Sequence, residues 1–349
     1  MPPDYCHMRF GFGLITCQRP PDDPRSDAEL YRDAIERPVA AERAGFDSVW
    51  VSEHHFVDDG YMPSLLVMCA AIAHATERVE IGTGVLLAPL IDPLRLAEDA
   101  ATVDLISNGR LVLGLGAGWR PEEFDAVGIG LEERAARMRE TVAILRRAWS
   151  NEAMSFHGKV FDHSGVNVTP KPARKIPIWL GGFAPSAVRR AGRIADGFLG
   201  SSSGTSGIEG FARAKALVLE GLAAAGRDPG GFSFALHVPV FAQEGGADAW
   251  STVRPFYHYL RWKYGDMSAA RGSVSASSPP PLGPGEEEQL RATIICGTPD
   301  RVVEDIGAFR DALGNDVHFI CRSDFPGMPQ PLELELIEKL GTRVIPQLR

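Results

Sequence analysis

The stretch VEIGTGVLLAPLIDPLRLAEDAATVDLISNGRLVLGLG, residues 79–116, decides the fold of this chain. It opens and closes on short, almost continuously apolar runs, which are typical of parallel strands covered on both faces. Between them, residues 93–107 begin with a proline and place Leu96, Ala100 and Val103 on one face of a helix. The pattern therefore predicts one strand–helix–strand unit of a parallel sheet.

The same alternation continues in both directions from this stretch and gives eight predicted strands. They cover residues 9–16, 47–53, 79–86, 110–116, 176–180, 197–201, 232–241 and 316–321. Eight βα units with no linker between two halves favour an α/β fold of the TIM (β/α)8 barrel type over a doubly wound sheet. We expect one domain over residues 9–349, preceded by a flexible extension of residues 1–8.

One segment interrupts this rhythm, at about residues 244–292. It contains the run SVSASSPPPLGPG, residues 273–285, and follows the seventh predicted strand. A long segment without regular structure inside a compact domain is usually a functional lid or a disordered insertion. We expect a lid on the active-site face of the barrel.

Composition excludes several classes of function. The 349 residues carry a formal net charge of −9 and no run of Lys or Arg, which argues against binding to nucleic acid or to an acidic membrane. No apolar stretch is long enough to span a membrane, and no signal peptide is recognisable. The five cysteines are scattered without metal-binding spacing. We expect a cytoplasmic protein with reduced thiols and a small-molecule substrate.

The candidate catalytic residues follow from where barrel enzymes place their active sites, at the carboxyl ends of the strands. Glu53, His54 and His55 end the second predicted strand, and histidine moves protons near neutral pH. The alternative is a surface or packing pair of histidines. The helical H-E-x-x-H spacing of zinc sites is absent, so we expect no metal.

The fourth predicted strand ends at Gly116, in the run GLGAGW of residues 114–119. This is not a dinucleotide fingerprint, because Trp119 stands where the third glycine of G-x-G-x-x-G belongs. Small residues at a barrel mouth leave room for a flat ring system to approach the backbone. Ordinary turn glycines are the alternative interpretation.

A candidate phosphate site follows the fifth and sixth predicted strands. Gly181, Gly182 and Phe183 lie just ahead of a predicted helix, whose free N–H groups and positive dipole end suit a phosphate. Ser201 and Ser202 end the next strand and offer hydroxyl donors. Spacing alone leaves this assignment open.

Five motifs in order resemble the bacterial-luciferase-like flavin monooxygenase family over about residues 8–200. They are EHHF at residues 53–56, IGTGV at 81–85, PLRLAED at 93–99, SNGR at 107–110 and PIWLGG at 177–182. The resemblance implies a homodimer that binds FMN at the barrel mouth, with His54 as the active-site histidine. It also implies a cis peptide at Gly84-Val85 and a flavin phosphate near Gly181, Gly182 and Ser201.

The activity expected from this resemblance is oxygenation of a small organic substrate. Reduced FMN, supplied by a separate flavin reductase, would react with oxygen to give a flavin hydroperoxide, and His54 would move a proton, with Glu53 or His55 setting its tautomer. Gly116 and Ala117 replace a cysteine and an arginine of the true luciferases, which argues against light emission.

Two alternatives stay open. Members that use coenzyme F420, a deazaflavin, look similar over the same motifs and over residues 116–124, which would make the reaction a hydride transfer without oxygen. A non-catalytic flavin-binding barrel is the third hypothesis.

Overall fold

The computed structural model describes residues 7–150, 152–200, 207–245, 248–269 and 278–349. Its strands are β1 (Arg9–Ile15), β2 (Ser48–Val51), β3 (Glu80–Thr83), β4 (Leu86–Leu87), β5 (Leu111–Gly116), β6 (Met154–His157), β7 (Asp162–Val166), β8 (Ile178–Gly181), β9 (Gly197–Gly200), β10 (Ser233–Ala242), β11 (Ile295–Gly297) and β12 (Val317–Arg322). Strands β1, β2, β3, β5, β8, β9, β10 and β12 pair in parallel, and β10 pairs with both β9 and β12, which closes the barrel. The predicted TIM barrel is confirmed.

Helices alternate with the strands and cover the outside of the barrel. They are α1 (Asp27–Ala44), α2 (Leu65–Ala75), α3 (Pro93–Ile106), α4 (Pro121–Ala126), α5 (Arg134–Ala148), α6 (Pro185–Ile194), α7 (Ile208–Ala224), α8 (Ala249–Ala269), α9 (Pro284–Arg291), α10 (Pro299–Leu313), α11 (Gln330–Lys339) and α12 (Ile345–Leu348). Local sequence fixes several of their starts. Ser26 and Glu29 form a capping box on α1, and the Asp92 side chain accepts from two backbone N–H groups of α3.

The barrel interior is filled by side chains rather than left as a pore. The rings of Trp50 and Trp179 stack with centroids 5.3 Å apart, and aliphatic side chains such as Leu14 and Ile320 pack around them. Glycine is required at position 82, because a Cβ there would lie 2.2 Å from the Trp50 ring. The two packed tryptophans close the barrel interior below its mouth.

The third predicted strand, residues 79–86, is divided in two. Strand β3 ends at Thr83, and β4 begins at Leu86 and pairs with β5. The peptide bond Gly84-Val85 between them is cis, as the family resemblance implies. The antiparallel hairpin β6–β7 and the short β11 were not predicted from the sequence.

The prediction for residues 244–292 is corrected by the structure. Much of the segment is helical, as α8 and α9, and the side chains of Trp250, Val253 and Tyr257 on α8 are buried against the barrel. Residues 246–247 and 270–277 lie outside the described residues. The apolar positions of α8 at helical spacing are the reason that this part of the insertion is ordered.

The packed part of the chain includes Met8, which we expected to lie in the flexible extension. Its side chain is fully buried in the core, so the predicted boundary is wrong at this residue, and residues 1–6 lie outside the described part. In the ranges that the structure describes, no helix combines the length and the apolar character that crossing a membrane requires.

Candidate active site

The centre of the candidate site is a hydrogen bond between His54 and Glu123. His54 follows β2 and Glu123 lies in α4, just beyond the end of β5. His54 Nδ1 lies 2.8 Å from Glu123 Oε1, and this same oxygen accepts from the His55 backbone N–H at 2.9 Å. Because a carboxylate oxygen accepts, Nδ1 is the donor, which leaves Nε2 of His54 free to accept a proton.

This arrangement corrects one sequence-based expectation. Glu53 or His55 was expected to set the tautomer of His54, but the partner of His54 Nδ1 is Glu123. The Glu123 side chain is fully buried, and its second oxygen, Oε2, has no hydrogen-bond partner among the described residues. Glu123 lies beyond the end of a strand, where an active-site residue of a barrel is expected. Nothing in the sequence distinguishes it from its neighbour Glu122.

Glu53 and His55 form a second pair behind the first. Glu53 Oε1 accepts from the Leu87 backbone N–H at 2.5 Å and lies 3.6 Å from His55 Nε2. Burial raises the pKa of Glu53, and the nearby Glu53 carboxylate raises the pKa of His55. This pair holds β4 and the segment after β2 together. Glu53 and His55 therefore position the segment that carries His54 and are not a second acid–base pair.

Aromatic rings enclose the His54 imidazole. Tyr61, Trp119 and Tyr264 approach it edge-on, with ring centroids 4.9, 5.6 and 5.8 Å away. Tyr264 belongs to α8, so the segment after β10 does cover the site, as a helix. His54 is 5% exposed, and such burial shields a proton transfer from bulk water.

The predicted cofactor-binding residues Gly84, Val85, Gly116 and Gly181 come together at the barrel mouth. A Cβ at Gly116 would lie 2.3 Å from Val85 Cγ2, and one at Gly181 would lie 3.1 Å from Val85 Cγ1. The space beside these glycines is therefore filled by the Val85 side chain, and not left open for a ring as we expected. Val85 packs on the Trp50 cluster and is half-buried, so it presents an apolar surface at the mouth.

Gly182 and Phe183 lie before α6 as predicted. A Cβ at Gly182 would lie 2.9 Å from Ala187 Cβ, and Phe183 is 53% exposed. No side chain of the described residues caps the N-terminus of α6. Its first residue, Pro185, has no N–H, and the Ala187 N–H donates to the Ala184 carbonyl at 2.8 Å, which leaves the Ser186 N–H of the first turn for an anion. Ser201 and Ser202 lie outside the described residues, and their predicted role stays a prediction.

Several site residues escaped the sequence analysis altogether: Tyr61, Arg120, Tyr264 and Arg322. Arg120 donates to the His55 carbonyl at 2.7 Å and fixes the turn after β2. Tyr264 comes from a segment expected to lack structure, so its periodicity with other apolar residues of α8 was the only available signal. Among the described residues no group of three His, Cys, Asp or Glu side chains could hold a metal ion.

Comparison with known proteins places these features in context. The family described as luciferase-like monooxygenase matches residues 8–316. An F420-dependent glucose-6-phosphate dehydrogenase of Segniliparus rotundus is 31% identical over 333 residues, which cover 90% of this chain and 95% of that protein. The enzyme of the same name from Amycolatopsis mediterranei is 34% identical over 187 residues, 51% of this chain and 56% of that protein.

Solved structures of two reaction types share the fold. Monooxygenase RslO1 from Streptomyces bottropensis has a TM-score of 0.82 at 24% identity, covering 97% of this chain and 99% of that one. An F420-dependent secondary alcohol dehydrogenase, solved with an F420–acetone adduct, has a TM-score of 0.76 at 21% identity, covering 98% and 99%. At these identities the likeness establishes the fold alone.

Proposed function

This chain belongs to the luciferase-like monooxygenase family and is an oxidoreductase of that type, and we propose that it transfers hydride between coenzyme F420 and a small alcohol. The observation that carries the choice of cofactor is the match, over nearly the whole of both chains, to a relative named as F420-dependent. F420-dependent hydride transfer was the alternative expectation from the sequence, and oxygenation with reduced FMN was the main one. A hydride-transfer enzyme would need no reductase to deliver reduced FMN.

The residues at the barrel mouth fit a flat deazaflavin. Val85 offers an apolar face, seated between Gly116 and Gly181. The uncapped start of α6 would receive the cofactor's phosphate. Arg190 on the same helix has a pKa lowered by burial and by the like charges of Arg139 and Arg134, and a cofactor phosphate would relieve this repulsion.

The His54–Glu123 pair supplies the acid–base chemistry of alcohol oxidation. Nε2 of His54 would accept the hydroxyl proton as the C–O bond gains double-bond character, and the bound deazaflavin would supply the acceptor for the hydride. Glu123 holds Nδ1–H at 2.8 Å, which fixes the ring orientation and stabilises the imidazolium that forms. Trp119, Tyr61 and Tyr264 keep water from the reacting carbon.

Anaerobic turnover tests this proposal. The protein is mixed with oxidised F420 and a panel of alcohols that begins with glucose 6-phosphate, and loss of the visible absorbance of the oxidised deazaflavin is followed. A matched aerobic reaction contains reduced FMN and records oxygen uptake. Reduction of F420 by an alcohol, lost in His54→Gln, supports the proposal; oxygenation of a substrate with FMN and no F420 reduction refutes it.

A further inference from the structure

One buried cation at the barrel mouth, Arg322, forms no ion pair within the part of the chain that the structure describes. Arg322 ends β12, where alternate residues face the barrel interior and Ile320 belongs to the central core. Arg322 is 6% exposed. No Asp or Glu of the described residues forms an ion pair with its guanidinium, and its Nε has no hydrogen-bond partner there.

The hydrogen-bond partner of Arg322 is neutral, and the nearby Asp324 carboxylate, which the charge of Arg322 also stabilises, forms its ion pair with Arg37 instead. One of its terminal nitrogens donates to the Tyr264 hydroxyl at 3.3 Å, and the guanidinium carbon lies 5.2 Å from the centre of the Tyr264 ring. Buried carboxylates on the flanking segments are already engaged, since Asp324 pairs with Arg37 and Asp59 accepts from Gln18. A buried cation without an anion is costly, so an anionic ligand would be stabilised here.

Other polar atoms converge on the same place. The hydroxyls of Tyr61 and Tyr264 lie 2.9 Å apart, and the Tyr61 hydroxyl also donates to Ser52 Oγ at 3.2 Å, so a bound anion would replace one of these acceptors. His237 Nδ1 has no partner among the described residues. Burial and the charge of Arg322 lower the pKa of His237 to about 3, so this imidazole is neutral. The group offers charged and neutral donors and no carboxylate.

Arg322 and the candidate base share Tyr264 as a neighbour. The Tyr264 ring contacts the guanidinium of Arg322 and, with centroids 5.8 Å apart, also the ring of His54. An oxyanion held by Arg322 would therefore bind on the same side chain that borders the His54 imidazole. An anion-binding group at this place would hold one end of a substrate and so position the substrate's hydroxyl group against His54.

We propose that Arg322, with the hydroxyls of Tyr61 and Tyr264, binds a carboxylate or phosphate group of the substrate and so determines specificity for an anionic alcohol. The planar guanidinium suits both oxyanions, because it donates two parallel hydrogen bonds. That this anion belongs to the substrate rests on the proposed hydride transfer at His54. The anion site itself is tested without the cofactor.

The experiment is a titration of the full chain, free of cofactor, with sodium acetate, inorganic phosphate and acetamide at constant ionic strength. Tryptophan fluorescence reports binding, because Trp119 lies 5.6 Å from His54. We expect saturable binding of acetate or phosphate and none of acetamide, which has the shape of acetate without its charge. A response to acetate alone identifies a carboxylate site and a response to phosphate alone a phosphate site.

Variants locate the site. Arg322→Gln should weaken anion binding at least about 10-fold, the loss expected for one charged hydrogen bond, and Arg322→Lys should weaken it less. Arg146→Gln is the control, since Arg146 pairs with Asp196 at 3.1 Å beside the start of β8. If Arg322→Gln does not fold, Tyr264→Phe keeps the ring and should still weaken binding several-fold. Equal binding of acetamide, or unchanged anion affinity in the folded Arg322 and Tyr264 variants, overturns the proposal.

A parallel titration with F420 separates this inference from the proposed function. Anion binding that depends on Arg322, without any F420 binding, would reject the hydride-transfer proposal and keep the anion site. F420 binding without Arg322-dependent anion binding would reject the anion site and keep the hydride-transfer proposal. With F420 bound and an active alcohol found, Arg322→Gln should raise KM more than it lowers kcat.

Discussion

Replacing Glu123 by Gln tests the role of the buried carboxylate most sharply. The change keeps the size and shape of the side chain and removes its charge. The Glu123 side chain has zero exposure and accepts from both His54 Nδ1 and the His55 N–H through one oxygen, at 2.8 and 2.9 Å. A neutral amide oxygen at the same position still orients the ring but stabilises the imidazolium less.

The expected size of the effect follows from that one hydrogen bond. A hydrogen bond to a charged group contributes about 1.5–3 kcal/mol. Its loss in the state in which His54 carries the extra proton lowers kcat by about 10- to 150-fold. Affinity for the cofactor should stay unchanged, because Glu123 faces the imidazole rather than Val85.

The assay compares kcat of the wild type, Glu123→Gln and the control Glu122→Gln under anaerobic conditions, with circular dichroism to confirm folding. Glu122 is the neighbouring acid and pairs with Arg120 at 3.6 Å, with no bond to His54. Nitrogen NMR of the His54 ring should show the proton on Nδ1 in the wild type. Wild-type kcat in Glu123→Gln, or a proton on Nε2 in the wild type, would refute the reasoning.

Three further changes test the packing and the charges. Gly116→Ala brings a Cβ to 2.3 Å from Val85 Cγ2 and should lower the free energy of unfolding, measured in urea, by about 1–3 kcal/mol. Most of this loss should be restored in the double variant Gly116→Ala/Val85→Ala. If it is not, the side chains at positions 116 and 85 do not compete for the same space. Arg37→Met removes the cation that pairs with the buried Asp324 and Glu333 at 2.8 and 2.6 Å. It should lose about 3–5 kcal/mol of unfolding free energy, whereas a loss below about 1 kcal/mol would contradict the network's role. His237 has a pKa lowered to about 3, whereas a histidine of the unfolded chain titrates at about 6.5. The unfolded chain therefore binds a proton that the folded chain excludes, and the free energy of unfolding falls as the pH drops from about 6.5 towards 3. His237→Asn should flatten this part of the stability curve, and an unchanged slope would count against the assignment.

The barrel was predictable because its strands obey a rule that sequence displays directly. Buried parallel strands are short and apolar, and helices with one apolar face separate them, so the eight strands were found within about three residues of their true ends. The hairpin β6–β7 was missed because its strand Asp162–Val166 is largely exposed and carries no such run.

The site was only partly predictable, for a different reason. His54 could be found because it follows a strand that the sequence identifies. Glu123 could not be assigned to it, because the two lie 69 positions apart in the chain and meet only through the closure of the barrel. The contribution of Tyr264 depends on α8, whose order comes from burial against the barrel and not from local signals. Gly116 was recognised as important, but its neighbour is Val85, which sequence could not reveal.

The most direct test of the hydride-transfer account is the affinity of the purified chain for its cofactor. Oxidised F420 and FMN are titrated separately by calorimetry against the same protein, without any substrate. The account predicts a saturable F420 complex at least about 10-fold tighter than that with FMN, a difference of about 1.4 kcal/mol. Tighter binding of FMN would contradict it and restore the oxygenase as the better interpretation.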